Sequence, residues 1–170
     1  MMNGATRRRA NRLLGVSQKW VSTQLGAHLA GRRKVDTAPE VLLRKAVHAA
    51  GGRFRLQRQI AKGCTPDFVL PGRHVAVFVD GCFWHGCPEH GRKTPWTGPN
   101  AALWAEKMQR NSERDERSTR LAREHGWFVV RVWECQVRRN PEGVARGLLS
   151  AEFKSTGELP ARKQTGHGPV

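Results

Sequence analysis

The stretch "VAVFVDGCFWHGCPEH", residues 75–90, constrains the fold of this chain more than any other. Residues 75–79 are apolar without alternation, the pattern of a strand covered on both faces. Such a strand sits inside a sheet and needs other elements packed above and below it. The run stops at Asp80, and Cys82, Phe83, Trp84, His85, Cys87 and His90 then crowd the following loop. Ligand-type and aromatic side chains gathered where a buried strand ends mark the place to look for chemistry.

The flanking sequence supplies the rest of the layers. "TPDFVLPGRHVAVFVDG" reads as two strands joined by a Pro71-Gly72 turn. Upstream, "TAPE" at 37–40 is a capping box, with the Thr37 hydroxyl as cap and Glu40 at its far end. Leu42, Leu43, Ala46, Val47 and Ala50 follow at helical spacing, and Gly51-Gly52 ends the helix. "RFRLQRQI", residues 53–60, alternates apolar and basic residues, so it reads as a half-exposed strand with an arginine-rich face. A long helix is expected over about 99–125, stopped by Gly126. Trp104, Met108, Asn111, Asp115, Ser118 and Ala122 share one face of it. Asn111 and Asp115 on that inward stripe need polar partners, which suggests a site. "WFVVRVW", residues 127–133, is another strand with Cys135 at its end. Asn140-Pro141 then caps a final helix carrying Val144, Leu148 and Leu149. The expected order is α-β-β-β-α-β-α.

Thirty Lys and Arg against fourteen Asp and Glu leave a formal charge of +16 on 170 residues. That balance favours a polyanionic partner, nucleic acid before anionic membrane. Residues 1–36 read as a basic arm, 37–153 as one folded domain and 154–170 as a disordered tail. No apolar run approaches the roughly 20 residues that span a bilayer. The N-terminus lacks the apolar core of a signal peptide, so a cytoplasmic protein is the default expectation. Four cysteines in such a chain read as ligands or buried thiols rather than disulfides.

Asp67 opens one strand of the hairpin and Asp80 closes the next, so the two carboxylates can approach one another. Carboxylates so placed suit Mg²⁺, although an acid beside a turn is more often a turn residue. Cys82, Cys87 and His90 with Cys135 suit a closed tetrahedral zinc site of structural type; the bland alternative is reduced thiols packed in the core. Cys64 stands apart from that set. His85 suits a general acid or base near Asp67, or a zinc ligand in place of His90. Phe83 and Trp84 are either core residues or, if the loop is clipped by zinc, rings projected outward to stack on or wedge between bases.

Taken together, "TAPE", "PDFV", "VDGCFWHGCPEH", "LWAEKMQRNSERD" and "GWFVVRVWE" resemble, in order and spacing, the very short patch repair mismatch endonucleases over about residues 36–137. The resemblance implies a restriction-endonuclease-like α/β fold, a mixed central sheet flanked by helices with a structural zinc site. It implies an enzyme that nicks one strand of double-stranded DNA 5′ to the thymine of a T:G mismatch left by deamination of 5-methylcytosine. Mg²⁺ would be the catalytic metal, and a functional link to a cytosine-5 methyltransferase and to mismatch-repair proteins is implied as well. By position, Asp67 resembles the metal-binding carboxylate, Val79 the residue that offers its backbone carbonyl to the metal, and His85 the catalytic histidine. Glu40 and Asp115 resemble the acids that position metal-bound water or the histidine. Phe83, Trp84 and Trp104 resemble the aromatic wedge, and Cys82, Cys87, His90 and Cys135 the zinc set. Some members carry His where Asp80 stands; an acid there either touches metal or orients His85. Two alternatives stand beside this reading: an endonuclease of the same fold without mismatch dependence, and a non-catalytic zinc-stabilised DNA-binding protein.

Overall fold

The computed structural model describes residues 19–24 and 35–150. The expected tail at 154–170 and most of the expected arm at 1–36 lie outside the described residues. Ten elements follow in order among the described residues: α1 (Ala38–Ala49), β1 (Arg55–Leu56), β2 (Phe68–Leu70), a 3-10 turn (Pro71–Arg73), β3 (Val75–Asp80), α2 (Cys82–His85), α3 (Ala101–Glu124), β4 (Phe128–Trp133), α4 (Glu134–Arg139) and α5 (Pro141–Leu149). The four strands form one mixed sheet in the order β1-β2-β3-β4. β2 runs antiparallel to β3, with Phe68 opposite Val77, and β4 runs parallel to β3, with Phe78 opposite Arg131.

The unalternating run from Val75 becomes an inner strand because both its faces are covered. Val75 and Val77 point with Phe68, Leu70, Val130 and Val132 into a core closed by Leu43 and Val47 of α1, Val137 of α4 and Ala145 and Leu148 of α5. Ala76 and Phe78 point the other way, with Val69, Cys64 and Ala122 of α3. The period-2 alternation of a strand therefore divides the residues between two helical layers. Asp67, Asp80 and Arg131 share parity with Val69, Phe78 and Val129, which puts their side chains on the α3 side of the sheet. β3 and β4 are parallel, and the crossover between them carries α2 and α3. The two strands therefore end at the same edge, where α/β sheets commonly bind ligands.

Several local expectations change. The Thr37 hydroxyl donates to Glu40 Oε1 at 2.6 Å and makes no cap to the helix backbone, so the carboxylate competes successfully for the group that a capping box would use. The arginine-rich stretch at 53–60 forms a strand only at Arg55 and Leu56, because β2 is three residues long and offers little more to pair with. Two short helices were not expected. Cys135 lies in α4 rather than at the end of a strand, since the chain turns helical after Trp133. Residues 82–85 form one helical turn, which Gly86 ends in the left-handed conformation at φ 73°. At the other end of the chain, Asn140 Oδ1 accepts from the Gly143 amide at 2.8 Å and caps α5 as expected. No helix among the described residues is long and apolar enough to cross a membrane.

Candidate active site

Asp67 stands at the seam between β2 and β3. Its amide donates to Val77 O at 3.1 Å, and its Oδ2 accepts from the Val79 amide at 2.7 Å. Burial pushes this carboxyl up to about 6 despite the hydrogen bond from Val79; Glu40 and Asp80 raise it further and Arg131 opposes them. Glu40, buried at the start of α1, is thus close enough to Asp67 to be felt as charge. Three acids crowd one edge of the sheet, where a cation relieves their repulsion.

His85 comes to the same edge on the single turn of α2. Its Nδ1 is hydrogen-bonded to Asp115 Oδ2, from the middle of α3, and lies 3.7 Å from Asp80 Oδ1. Burial works to raise the Asp115 carboxyl, but the hydrogen bond from His85 and the charges of Arg131, His85 and Arg114 hold it below its ordinary range. Asp115 is therefore ionised near neutrality, and Nδ1 of His85 carries the proton between them, which leaves Nε2 free for chemistry. The inward polar pair on the long helix finds partners: Asp115 holds His85, and Asn111 Nδ2 donates to Trp84 O at 3.1 Å. His85 is thus grouped with Asp80 and Asp115 rather than directly with Asp67.

Asp80 closes β3 and is 5% exposed. Both of its oxygens are held by Arg131 of β4, Oδ2 by Nε at 2.7 Å and Oδ1 by the terminal amino group at 2.6 Å. The same amino group is 3.1 Å from Asp115 Oδ1. The cleft over this group has a volume of about 570 Å³ and is lined also by Thr119, Arg120 and Arg123 of α3 and by Trp133.

The loop beyond α2 gathers a second donor set. Cys82, Cys87, His90 and Cys135 place one ligand atom each within 4.8 Å of all the others. Cys87 Sγ is 3.8 Å from both Cys135 Sγ and His90 Nδ1, and Cys82 Sγ is 4.0 Å from the same nitrogen. Glu134 Oε1 accepts from the Cys82 amide at 2.9 Å and ties α4 to the start of α2, which brings Cys135 to the loop. Gly91 is required here, since a Cβ would come within 2.4 Å of the Cys87 carbonyl oxygen. Burial works against ionisation of Cys87, but hydrogen bonds from His90 and Glu89 bring its thiol down to about 6. Cys64 is remote from the set, buried under α3 with its thiol donating to Ser118 O at 3.3 Å.

The aromatics pack on one another rather than projecting singly. Phe83 meets Trp84 edge-on at 4.9 Å and Trp104 at 5.9 Å, and Trp104 is 6% exposed. Trp96 stacks on Trp104 at 5.1 Å, and Trp20 meets it edge-on at 5.0 Å. Lys107 Nζ lies over Trp84 at 4.8 Å. Asn100 fixes the segment at 19–24 against this cluster by exchanging hydrogen bonds of 2.9 and 2.7 Å with the Val21 backbone.

Comparison with known proteins places the chain in a family. Residues 22–90 match the family profile described as DNA mismatch endonuclease Vsr. The type II nicking enzyme V.NmeDIP of Neisseria meningitidis serogroup C is 41% identical over 123 residues, which cover 72% of this chain and 82% of that enzyme. The chain belongs to the Vsr family. Two further relatives are the type II nicking enzyme V.NaeI of Lentzea aerocolonigenes, 42% identical over 63% of this chain, and the DNA mismatch endonuclease Vsr of Escherichia coli K12, 39% identical over 61% of it. The matched stretch spans 65% and 64% of those two proteins.

In this Vsr-family chain, sequence reasoning passed over Arg131, Trp96, Trp20 and Glu134. Arg131 breaks an otherwise apolar strand, a signal that could have been used. Its partner Asp80 lies 51 positions away, which no local spacing reveals.

Proposed function

We propose that this chain is a Mg²⁺-dependent endodeoxyribonuclease that nicks one strand of double-stranded DNA 5′ to the thymine of a T:G mismatch. The observation that carries the reading is the hydrogen-bonded His85–Asp115 pair grouped with Asp80 at the end of β3, with Asp67 held by the Val79 amide on the same strand, in a chain of the Vsr family. The relatives named nicking enzymes support single-strand cleavage, and the E. coli relative's name supports mismatch dependence. The mixed sheet with helices on both faces supports a restriction-endonuclease-like fold.

Asp67 and the Val79 carbonyl would hold Mg²⁺, and the crowding of Asp67, Glu40 and Asp80 suits a hard dication. When bound, the ion supplies Lewis-acid stabilisation of the charge that develops on the phosphate. Asp115 orients the His85 ring through Nδ1, so His85 moves a proton at Nε2 during attack and departure. Glu40 adds negative charge beside Asp67 and is held by Thr37. Asp80 has both oxygens engaged by Arg131, which favours an orienting role over metal ligation.

Cys82, Cys87, His90 and Cys135 would hold Zn²⁺ as a structural clip. Donors around a tetrahedral zinc lie about 3.5–3.8 Å apart, and the separations of 3.8 to 4.0 Å come close to that requirement, which supports the reading. The clip fixes the turn that presents His85 and the aromatics Phe83 and Trp84. With Trp104 these rings form the wedge that enters the duplex beside the mismatch. A T:G mispair of this kind arises beside a cytosine-5 methyltransferase, whose neighbouring activity and that of mismatch-repair proteins complete the functional setting in the cytoplasm and nucleoid.

The direct test of the site is His85→Ala, assayed for Mg²⁺-dependent nicking of a T:G duplex and for zinc content. The variant nicks severely more slowly and keeps its zinc. Wild-type turnover removes His85 from the mechanism, and loss of zinc makes it a ligand instead.

A further inference from the structure

We infer that Arg131 is a positioning residue of the nicking reaction, the clamp that holds Asp80 and Asp115 in the geometry that fixes His85. The inference rests on the proposed nicking chemistry.

Four observations carry it. Arg131 sits on β4 opposite Phe78, and its guanidinium lies 4.8 Å from the Phe78 ring centroid, so an aromatic face sets the plane of the fork. That plane is occupied: Nε and one terminal amino group bind Asp80 at 2.7 and 2.6 Å, a two-point contact that leaves the carboxylate no rotation. The amino group also reaches Asp115 Oδ1 at 3.1 Å, while Asp115 Oδ2 is hydrogen-bonded to His85 Nδ1. The other amino group faces Asp115 O and Thr119 Oγ1, each at 3.4 Å, so the cation also grips the backbone of α3. The guanidinium thus joins the end of β3, the middle of α3 and, through Asp115, the turn of α2. The side chain is 24% exposed, so the cation is largely shielded from solvent.

One cation between two carboxylates has a definite consequence. Without it, Asp80 and Asp115 would repel one another and both would compete for the single Nδ1 proton of His85, which lies 3.7 Å from Asp80 Oδ1. Arg131 neutralises Asp80 and leaves Asp115 as the acceptor. His85 is then held in one tautomer and one orientation. A lysine keeps the charge but not the planar fork, so it cannot satisfy both carboxylates at once.

The test uses the zinc-loaded full chain with Arg131→Lys and, separately, Asp80→Asn, each first shown to be folded by thermal unfolding. Single-turnover nicking of a T:G duplex falls on the order of 100-fold in Arg131→Lys, the penalty of a misplaced reacting group, while duplex affinity stays within about threefold. In the background of His85→Ala the same substitution has little further effect, because Arg131 acts through the histidine. A readout free of activity is the side-chain ¹⁵N spectrum of His85. The wild type shows a single Nδ1-protonated tautomer; Arg131→Lys loses that signature, and Asp80→Asn, which removes the competing carboxylate, keeps it. If the wild type fails to nick at all, the proposed function falls, and the spectrum still decides the clamp. The inference is overturned by an unchanged His85 spectrum in Arg131→Lys or by additive losses with His85→Ala. It is also overturned by a parallel loss of affinity with a salt slope reduced by about one, which would make Arg131 a phosphate contact.

Discussion

The Val79 amide donates to Asp67 Oδ2 at 2.7 Å, and this bond fixes the carboxylate where β2 and β3 part. The contact holds a charged group in a place where burial and two neighbouring acids disfavour the charge. Function at this edge is therefore set against stability, and the conflict is measurable.

Asp67→Asn removes the charge and keeps an acceptor for the Val79 amide. Asp67 is raised from 3.8 to about 6 in the folded chain, so folding binds the proton more tightly than the unfolded chain does. Its contribution to stability is therefore lost as pH rises from about 4 through 6, and the whole deficit, at most about 3 kcal/mol, is present at pH 7. Without Mg²⁺ at pH 7, Asp67→Asn unfolds about 2–6 °C above the wild type, and the difference shrinks toward pH 4. The same variant does not nick. Thermal unfolding across this pH range checks the first claim, and a lower Tm at pH 7 contradicts it.

Purified protein prepared without chelator holds about one zinc per chain. Cys82→Ser, Cys87→Ser and Cys135→Ser each lose it and unfold more easily, because the metal's binding energy is also folding energy. Cys64→Ser keeps the zinc, since that thiol only donates to Ser118 O at 3.3 Å and a hydroxyl can do the same. Metal analysis of the four variants reads the difference directly; zinc-free wild type sinks the assignment.

Truncation of the aromatic cluster separates wedge from core. Trp84 is half-buried, so Trp84→Ala reduces nicking of the T:G duplex and leaves salt-dependent binding to matched DNA nearly unchanged. Trp104 is 6% exposed and meets Trp20, Trp96, Phe83 and Trp84. Trp104→Ala therefore also costs stability, about 3–5 kcal/mol. Rates and affinities on both duplexes, beside denaturant unfolding, are the measurement. Equal loss on matched and mismatched DNA by Trp84→Ala makes that ring a core residue.

The α5 cap gives a control remote from the site. Asn140→Ala removes the acceptor for the Gly143 amide and costs about 1 kcal/mol. Nicking by the folded fraction is unchanged, as chemical denaturation and a rate assay on one preparation establish.

What was legible in the sequence was what local pattern encodes. The unalternating run at 75–79 gave an inner strand, and the 3.6-residue stripe through Trp104, Ser118 and Ala122 gave a helix whose inward polar pair does find partners. The spacing of Cys82, Cys87 and His90 marked one donor set, which Cys135 completes. Single helical turns were illegible, because four residues at 82–85 carry less than two turns of periodicity and only Gly86 hints at the stop. Pairings across the sheet were equally hidden. Nothing near Arg131 announces Asp80, and the Asn100 side chain that holds Val21 reads as an ordinary helix start.

The central claim is mismatch-dependent nicking, and it is tested most directly by single-turnover cleavage of two duplexes that differ only in one T:G pair, with Mg²⁺ present. The expected result is a nick in one strand, 5′ to the mispaired thymine, with a matched duplex cut far more slowly. Equal cleavage of both duplexes, or cleavage of both strands, would contradict it.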